Sequence, residues 1–432
     1  MKILRCDEPS FVEGLRQAAA ASSLLDQTIE DRTRAILNEV KKGGDQALAS
    51  LTLKFDRAKV RADGFAVTKP EILAASLQAD HELRSALALA QKNVDAFARR
   101  GLRKNWRRKN AQGAWVGEKF DPLDRVGIYI PGGTAPLVST AVMTITLARA
   151  AGCREIVVCT PCGPDGSINP ALLHAANISG ATEIYRAGGA QAIAAMAYGT
   201  DTIRPVAKIF GPGNAYVVAA KRLLTGIVAI DLLPGPSEVL VLADAQANAS
   251  FIAADLLAQA EHGSGHERLW LVTDSAKLLR QVESEIKKQL PRRARREYIE
   301  KTLANQAWLI LVKSLPQGVD IVNLFAPEHC EIMARQPAKL AEKITTAGAI
   351  FLGEYSPTAL GDYIAGPSHV LPTGGAGRAF AGLTVDQFQR RTSLVQYTLP
   401  ALRKSLLALE KLAMVEGLEG HAWSVKSRVG GR

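Results

Sequence analysis

RVGIYIPGG, Arg125 to Gly133, is where the chain declares its architecture. It reads as a short apolar strand running into a Pro-Gly-Gly turn. A helical pattern follows from about Leu137 to Ala151, then the strand REIVVCTP (154–161), a helix near Pro170 and the strand EIYR (183–186). AGGAQAIAAMAYG (187–199) and VAKIFGPGN (206–214) come next, ahead of the helix AYVVAAKRLL (215–224). Strands alternating with helices at this interval predict βαβ units on a mostly parallel sheet. A second series opens near Ser237 with the strand SEVLVLAD, then an amphipathic helix ending in DLLAQAEHGSGHE (255–267), then the strand ERLWLVTD. Polar helices from Ala276 to Gln306, the strand WLILVKS, the helix KLAEKITTAG (339–348) and the strand AIFLGEY complete it.

Outward from these two series the pattern is helical. Apolar residues recur at helical spacing through RTRAILNEVKKGGDQALASLTLKF (32–55) and PEILAASLQADHELRSALALAQKNVDAF (70–97), with a break at Gly43-Gly44-Asp45 and a start at Pro70. This first segment lacks clustered catalytic residue types and is expected to serve packing or dimerisation. After roughly Phe380 the chain turns helical again. The fold expected is α/β: two successive Rossmann-like parallel-sheet domains (106–236 and 237–380) between helical N- and C-terminal segments (1–105 and 381–432).

The 432 residues are long enough for several domains, and 47% hydrophobic with 22% charged residues is an ordinary globular balance. MKILRCDEPS has no apolar signal region, and residues 137–151 are too short and too polar to span a bilayer, so no membrane and a cytoplasmic location are expected. Five cysteines in such a chain are not a disulfide framework. The formal charge is +11, from 53 basic and 42 acidic residues, partly clustered in ARRGLRKNWRRKN (98–110) and PRRARREY (291–298). These read as solvated helix faces; no nucleic-acid motif accompanies them, and a nucleic-acid partner is not expected.

G-x-G-x-x-G is absent from the chain. The glycine-rich turns PGGTAP (131–136), AGGAQA (187–192) and FGPGNA (210–215) each lie after a strand and before a helix, where backbone amides can approach a phosphate. Gln259 and His262 share one face at a helix end. His266 follows four residues later, but Gly263 and Gly265 break the helix between them, so the zinc-protease geometry of H-E-x-x-H is not reproduced. APEHCE sets Glu328 beside His329, an acid and a base suited to proton transfer. GDYIAGPSHVLPTGG supplies Asp362 and His369, and the tail supplies Glu416 and His421. A set of Gln, His, Asp and His offers N and O donors; it suits Zn²⁺ and is compatible with Mn²⁺ or Co²⁺. CTPC (159–162) runs into a Gly-Pro-Asp-Gly turn and lacks a second cysteine pair, which favours ordinary thiols; a nucleophilic Cys330 is likewise the less favoured reading.

RVGIYIPGGTAPLVSTAVM, GGAQAIAAMAYGT, KIFGPGNAYV, DLLPGPSEVLVLAD, LLAQAEHG, NLFAPEHCEI, GDYIAGPSHVLPTGG and EGLEGHA, in that order, resemble the histidinol dehydrogenase family from about residue 30 onward. The resemblance implies oxidation of L-histidinol to L-histidine through an aldehyde with two NAD⁺, the last step of histidine biosynthesis. It implies one Zn²⁺ per subunit on Gln259, His262, Asp362 and His421, with Glu328 as the base that activates water and His329 as the acid–base residue. Ser237, His369 and Glu416 would line the substrate pocket together with Gln259, His262, His329, Asp362 and His421. Tyr129, Gln191 and Asn214 would contact NAD, and a homodimer would share its sites through the C-terminal segment. The basic surroundings of Trp106, the GSG loop and CTPC depart from the family pattern. They leave a second reading, a paralogous NAD-dependent dehydrogenase acting on another amino alcohol or hydroxy substrate.

Overall fold

A computed structural model describes residues 1–20, 26–132 and 136–430. Gly133, Thr134 and Ala135 of the PGGTAP turn lie outside the described residues. The chain opens with a strand, β1 (Lys2–Arg5), followed by α1 (Phe11–Ala19), α2 (Gln27–Asp56), α3 (Lys69–Gln78) and α4 (His81–Arg100). Helix starts follow capping chemistry: Asp26 accepts from the Thr28 and Ile29 amides, and Thr68 and Glu71 form a reciprocal capping box. Gly44, at φ 52°, kinks α2 where the Gly-Gly pair breaks the helical pattern. Two strands follow, β2 (Trp106–Lys109) and β3 (Trp115–Pro122).

The first α/β series is β4 (Arg125–Tyr129), α5 (Val138–Ala151), β5 (Glu155–Thr160), α6 (Pro170–Ser179), β6 (Glu183–Arg186), α7 (Gly189–Tyr198), β7 (Lys208–Phe210), α8 (Ala215–Leu223) and β8 (Ala229–Ile230). The second is β9 (Glu238–Ala243), α9 (Ala249–Ala260), β10 (Arg268–Thr273), α10 (Ala276–Gln289), α11 (Arg296–Gln306), β11 (Ala307–Leu311), α12 (Leu315–Phe325), β12 (His329–Met333), α13 (Pro337–Ala341), β13 (Ala349–Leu352) and α14 (Thr358–Tyr363). Last come β14 (Gln389–Gln396), α15 (Leu399–Val415) and α16 (Glu419–Val429).

One sheet runs β6-β5-β4-β7-β8 and the other β1-β11-β10-β9-β12-β13, and every pairing within them is parallel. Counted within its own series, each sheet has strand order 3-2-1-4-5, the order of a dinucleotide-binding half-fold continued by two strands. The second sheet adds β1 outside β11. The expected pair of Rossmann-like sheets is therefore present. Covered on both faces, the strands are apolar almost throughout: β4 and β9 are buried along their whole length. On β9, Val239 and Val241 enter a core with α9 and α10, while Leu240 and Leu242 enter the opposite one with α1 and α12. Helices α2 to α8 share one core with the first sheet.

Four local expectations are corrected. Residues 1–105 are not all helical, because KILR pairs with β11; four residues are too few to show a period. WRRK in the basic run is a strand rather than a helix face, since its long side chains stay solvated on either side of a sheet. The segment after Phe380 is not helical at once: the largely polar QRRTSLVQ pairs antiparallel with β3, giving a third sheet, β14-β3-β2. KLAEKITTAG is helical only up to Ala341. Among the described residues no helix is long and apolar enough to cross a membrane.

Candidate active site

The first strand of the second series, β9, and the fourth, β12, lie side by side, and their N-terminal ends bring Glu238, Glu328 and His329 together. The Glu238 amide donates to the Glu328 carboxylate at 2.8 Å, and the Glu328 amide donates back to Glu238 Oε2 at 3.3 Å. Glu238 is itself held by Arg268 and by the Gly374 amide at 2.8 Å. His329 Nδ1 lies 2.9 Å from the Glu238 carbonyl, to which it can only donate. That orients the ring and aims Nε2 toward Asp362, whose Oδ1 is 3.4 Å away. The contact is too long to satisfy the nitrogen, which is buried without a hydrogen-bond partner among the described residues. Burial pushes the Glu328 carboxyl up to about 8, against the pull of His329. Burial also lowers the imidazole, but Glu328, Asp362 and the Glu238 carbonyl outweigh it and hold His329 at about 9. Together the pair retains a proton that an isolated carboxyl would have lost, which suits groups that must take and return protons near neutrality.

Asp362 sits in α14, whose first amide, Thr358, donates to the buried Glu331 carboxylate at 2.7 Å. His369 bridges two units: Nδ1 is 2.9 Å from the Asp362 carbonyl and Nε2 is 3.0 Å from Thr140 Oγ1 on α5. His329, Asp362 and His369 line a cavity of about 260 Å³ together with Phe351, Leu360 and Leu371. Gln259 closes the last turn of α9, buried, its Nε2 without a partner among the described residues; His262 follows, with Nδ1 3.2 Å from Ser237 Oγ. His262 stays open to solvent at its edge, yet surrounding protein lowers its imidazole, with Asp362 opposing. The loop after it is tied by Glu267, whose carboxylate accepts from the Ser264 and Gly265 amides at 2.7 and 2.9 Å. His266 is exposed, its amide bonded to Ser264 Oγ at 3.1 Å.

His262 and Asp362 are within electrostatic reach of each other and α14 packs against α9, the helix of Gln259, while among the described residues no three His, Cys, Asp or Glu side chains form a cluster that could hold a metal. Glu416 and His421 are exposed at the end of α15 and on α16, an arm whose main packing is between those two helices. The single chain does not bring them to the other site residues.

The larger cavity, about 990 Å³, opens at the C-terminal ends of β4 and β5, and Tyr129, Gln191 and Asn214 all line it. Tyr129 Oη accepts the Gly189 amide at 3.0 Å, and Asn214 caps α8 by accepting from Tyr216 and Val217. Both keep N–H or O–H donors for a ligand. Gly211, at φ 108°, lets its backbone press on the Tyr129 carbonyl; a Cβ there would meet that oxygen at 2.1 Å. Its amide donates to Asp231 at 2.8 Å and its carbonyl accepts from Lys221 at 2.9 Å, and these two side chains form a fully buried ion pair. Cys159 is buried, its thiol pushed up to about 12, and Cys162 is shifted in the same direction by burial and by Asp56. Neither thiol, nor the buried Cys330, has the environment of a nucleophile.

Residues 20–429 match the sequence model of histidinol dehydrogenase. The chain belongs to the histidinol dehydrogenase family. A histidinol dehydrogenase from Synechococcus sp. is 46% identical over 399 residues, covering 92% of each chain. One from Bradyrhizobium diazoefficiens is 44% identical over 99% of each chain. The crystal structure of histidinol dehydrogenase from Elizabethkingia anophelis superposes with a TM-score of 0.94 at 36% identity, covering 99% of this chain and 98% of that one. The protein is therefore an oxidoreductase of the histidinol dehydrogenase family. Sequence reasoning missed Glu238, Arg268, Glu331 and Thr140. A signal existed for the first two: each is a charge at the start of a strand that is otherwise apolar, in SEVLVLAD and ERLWLVTD.

Proposed function

We propose that the protein oxidises L-histidinol to L-histidine through the enzyme-held aldehyde, consuming two NAD⁺, as the last step of histidine biosynthesis in the cytoplasm. The observation that carries this is the buried His329 ring, with Glu328 on its Nδ1 side and Asp362 on its Nε2 side, and Nε2 left without a hydrogen-bond partner among the described residues beside a small cavity. When bound, NAD⁺ accepts hydride and Zn²⁺ grips and orients the substrate. The metal fit rests on the donor types: the Gln259 side chain offers a carboxamide oxygen, the Ser237 contact engages His262 Nδ1 and leaves Nε2 as the nitrogen for a ligand, and Asp362 supplies a carboxylate. His421 would complete the set from a partner subunit, and Glu416 of the same arm would face the substrate's ammonium group. The apolar residues left exposed on that arm, among them Leu407, Leu412, Val415 and Trp423, support a homodimer that covers them.

His329 takes the alcohol proton as hydride leaves. Glu328 then draws a proton from water as it adds to the aldehyde while His329 returns its proton to the carbonyl oxygen, and the freed His329 takes the hydrate's proton in the second oxidation. Tyr129, Gln191 and Asn214 hold the dinucleotide in the larger cavity. The test is purified protein with L-histidinol and NAD⁺, counting NADH against histidine. The expected ratio is two; turnover of another amino alcohol without any histidine would replace this reading with the paralogue. Chelation should abolish turnover and Zn²⁺ restore it.

A further inference from the structure

In a dinucleotide-binding half-fold an acid near the end of the second strand takes the ribose hydroxyls. Here the second strand, β5, ends in Thr160-Pro161-Cys162-Gly163 and brings no acid of its own. The next one, Asp165, is exposed and accepts from the Ser167 amide and hydroxyl at 3.0 and 2.7 Å. Another acid stands at that place. Asp56, the last residue of α2, lies against the join of β5 and α7: a Cβ on Gly188 would meet Pro161 Cβ at 2.6 Å and Asp56 Oδ2 at 3.3 Å. Its Oδ2 is buried and has no hydrogen-bond partner among the described residues. The hydroxyl of Thr160, a residue only 1% exposed, is unpartnered in the same way. Both residues line the 990 Å³ cavity. A carboxylate and a hydroxyl buried without partners call for a ligand that both donates and accepts. Burial alone raises Asp56 to about 6, as expected of an acid whose donors have yet to arrive.

We propose that Asp56, with Thr160 in the same wall, holds the free ribose diol of the dinucleotide and rejects a 2′-phosphate, making it the residue that selects NAD over NADP. The inference rests on the larger cavity being the dinucleotide site. A vicinal diol offers two donors to the carboxylate, whereas a phosphate dianion brought against a desolvated carboxylate is repelled, a built-in exclusion of the wrong partner.

The experiment is direct binding, followed by nucleotide fluorescence, of NADH and NADPH to the full chain and to Asp56→Asn, with Asp56→Ser as the second variant should asparagine disturb the end of α2. The native protein should favour NADH by at least about a hundredfold, and asparagine should narrow that preference by about tenfold or more while weakening NADH itself. Thr160→Val should weaken NADH without changing the preference. If both nucleotides bind and the preference survives in the Asp56 variants, the inference is wrong and the cavity still takes a dinucleotide. If the native protein binds neither, the cofactor reading of the cavity falls with it.

Discussion

Glu328 offers its carboxylate to the Glu238 amide, so the side chain is aimed before any substrate arrives. Glutamine can accept the same hydrogen bond but cannot take a proton. Glu328→Gln should therefore fold normally and complete the alcohol-to-aldehyde half at near-native rate. Aldehyde oxidation should drop by roughly 10²–10⁴-fold, the usual size of a general-base contribution. Single-turnover measurements starting from histidinol and from histidinal separate the halves, and equal loss of both would remove the proposed division between Glu328 and His329. This pair was legible in the sequence because its members are adjacent and their residue types are rarely idle together. Glu238 was not, because its role is a long-range one: it meets Glu328 across 90 residues, and only the pairing of β9 with β12 brings them together.

The GPGN turn after β7 is held from behind. Lys221 on α8 and Asp231 after β8 pin the two sides of the Gly211 peptide, and neither side chain is exposed at all. Lys221→Met leaves a bare carboxylate in the core and should cost about 3–5 kcal/mol in urea unfolding. Adding Asp231→Leu should recover most of that loss, because the uncompensated charge is what destabilises. At the far end of the same sheet, Arg125 on β4 bonds Glu155 at 2.8 Å and Glu183 on β6 at 2.6 Å. The Arg125 hydrogen bond comes first among the causes that hold Glu183 down at about 2, against an ordinary value of 4.5. A lowered carboxyl contributes stability above its unfolded value and loses it as pH falls toward its folded one. Urea midpoints should accordingly decline from about pH 4.5 downward, and Arg125→Met should flatten that decline. The elements the sequence concealed are of one kind. KILR, WRRK and QRRTSLVQ are short or polar edge strands, defined by a distant partner rather than by their own periodicity. The long apolar strands of both central sheets were visible because burial on two faces writes itself into composition.

The two halves of the molecule repeat one strand order but use it from opposite ends. The dinucleotide-sized cavity lies at the C-terminal edge of the first sheet, where such folds ordinarily bind, whereas Ser237, Glu328 and His329 sit at the N-terminal edge of the second. His369, bonded to Thr140, ties one edge to the other. If His421 reaches the partner's site, two inactive proteins should rescue each other. Co-expressed Glu328→Gln and His421→Ala chains would form mixed dimers in which one site carries both changes and the other carries neither. Random pairing should then restore about a quarter of native turnover; no recovery in verified mixed dimers would place His421 at its own chain's site. A different consequence follows from β1. Residues 2–5 pair with residues 308–311, which leave the ribosome about three hundred positions later, roughly 15–60 s at usual synthesis rates. During that interval KILR waits without its sheet, while the first α/β unit has all of its own strands in hand. The order of synthesis therefore differs from the order of assembly: residues 2–5 are set only once β11 exists, and nascent chains halted before residue 307 should hold the first unit protected from protease with residues 2–5 open to it.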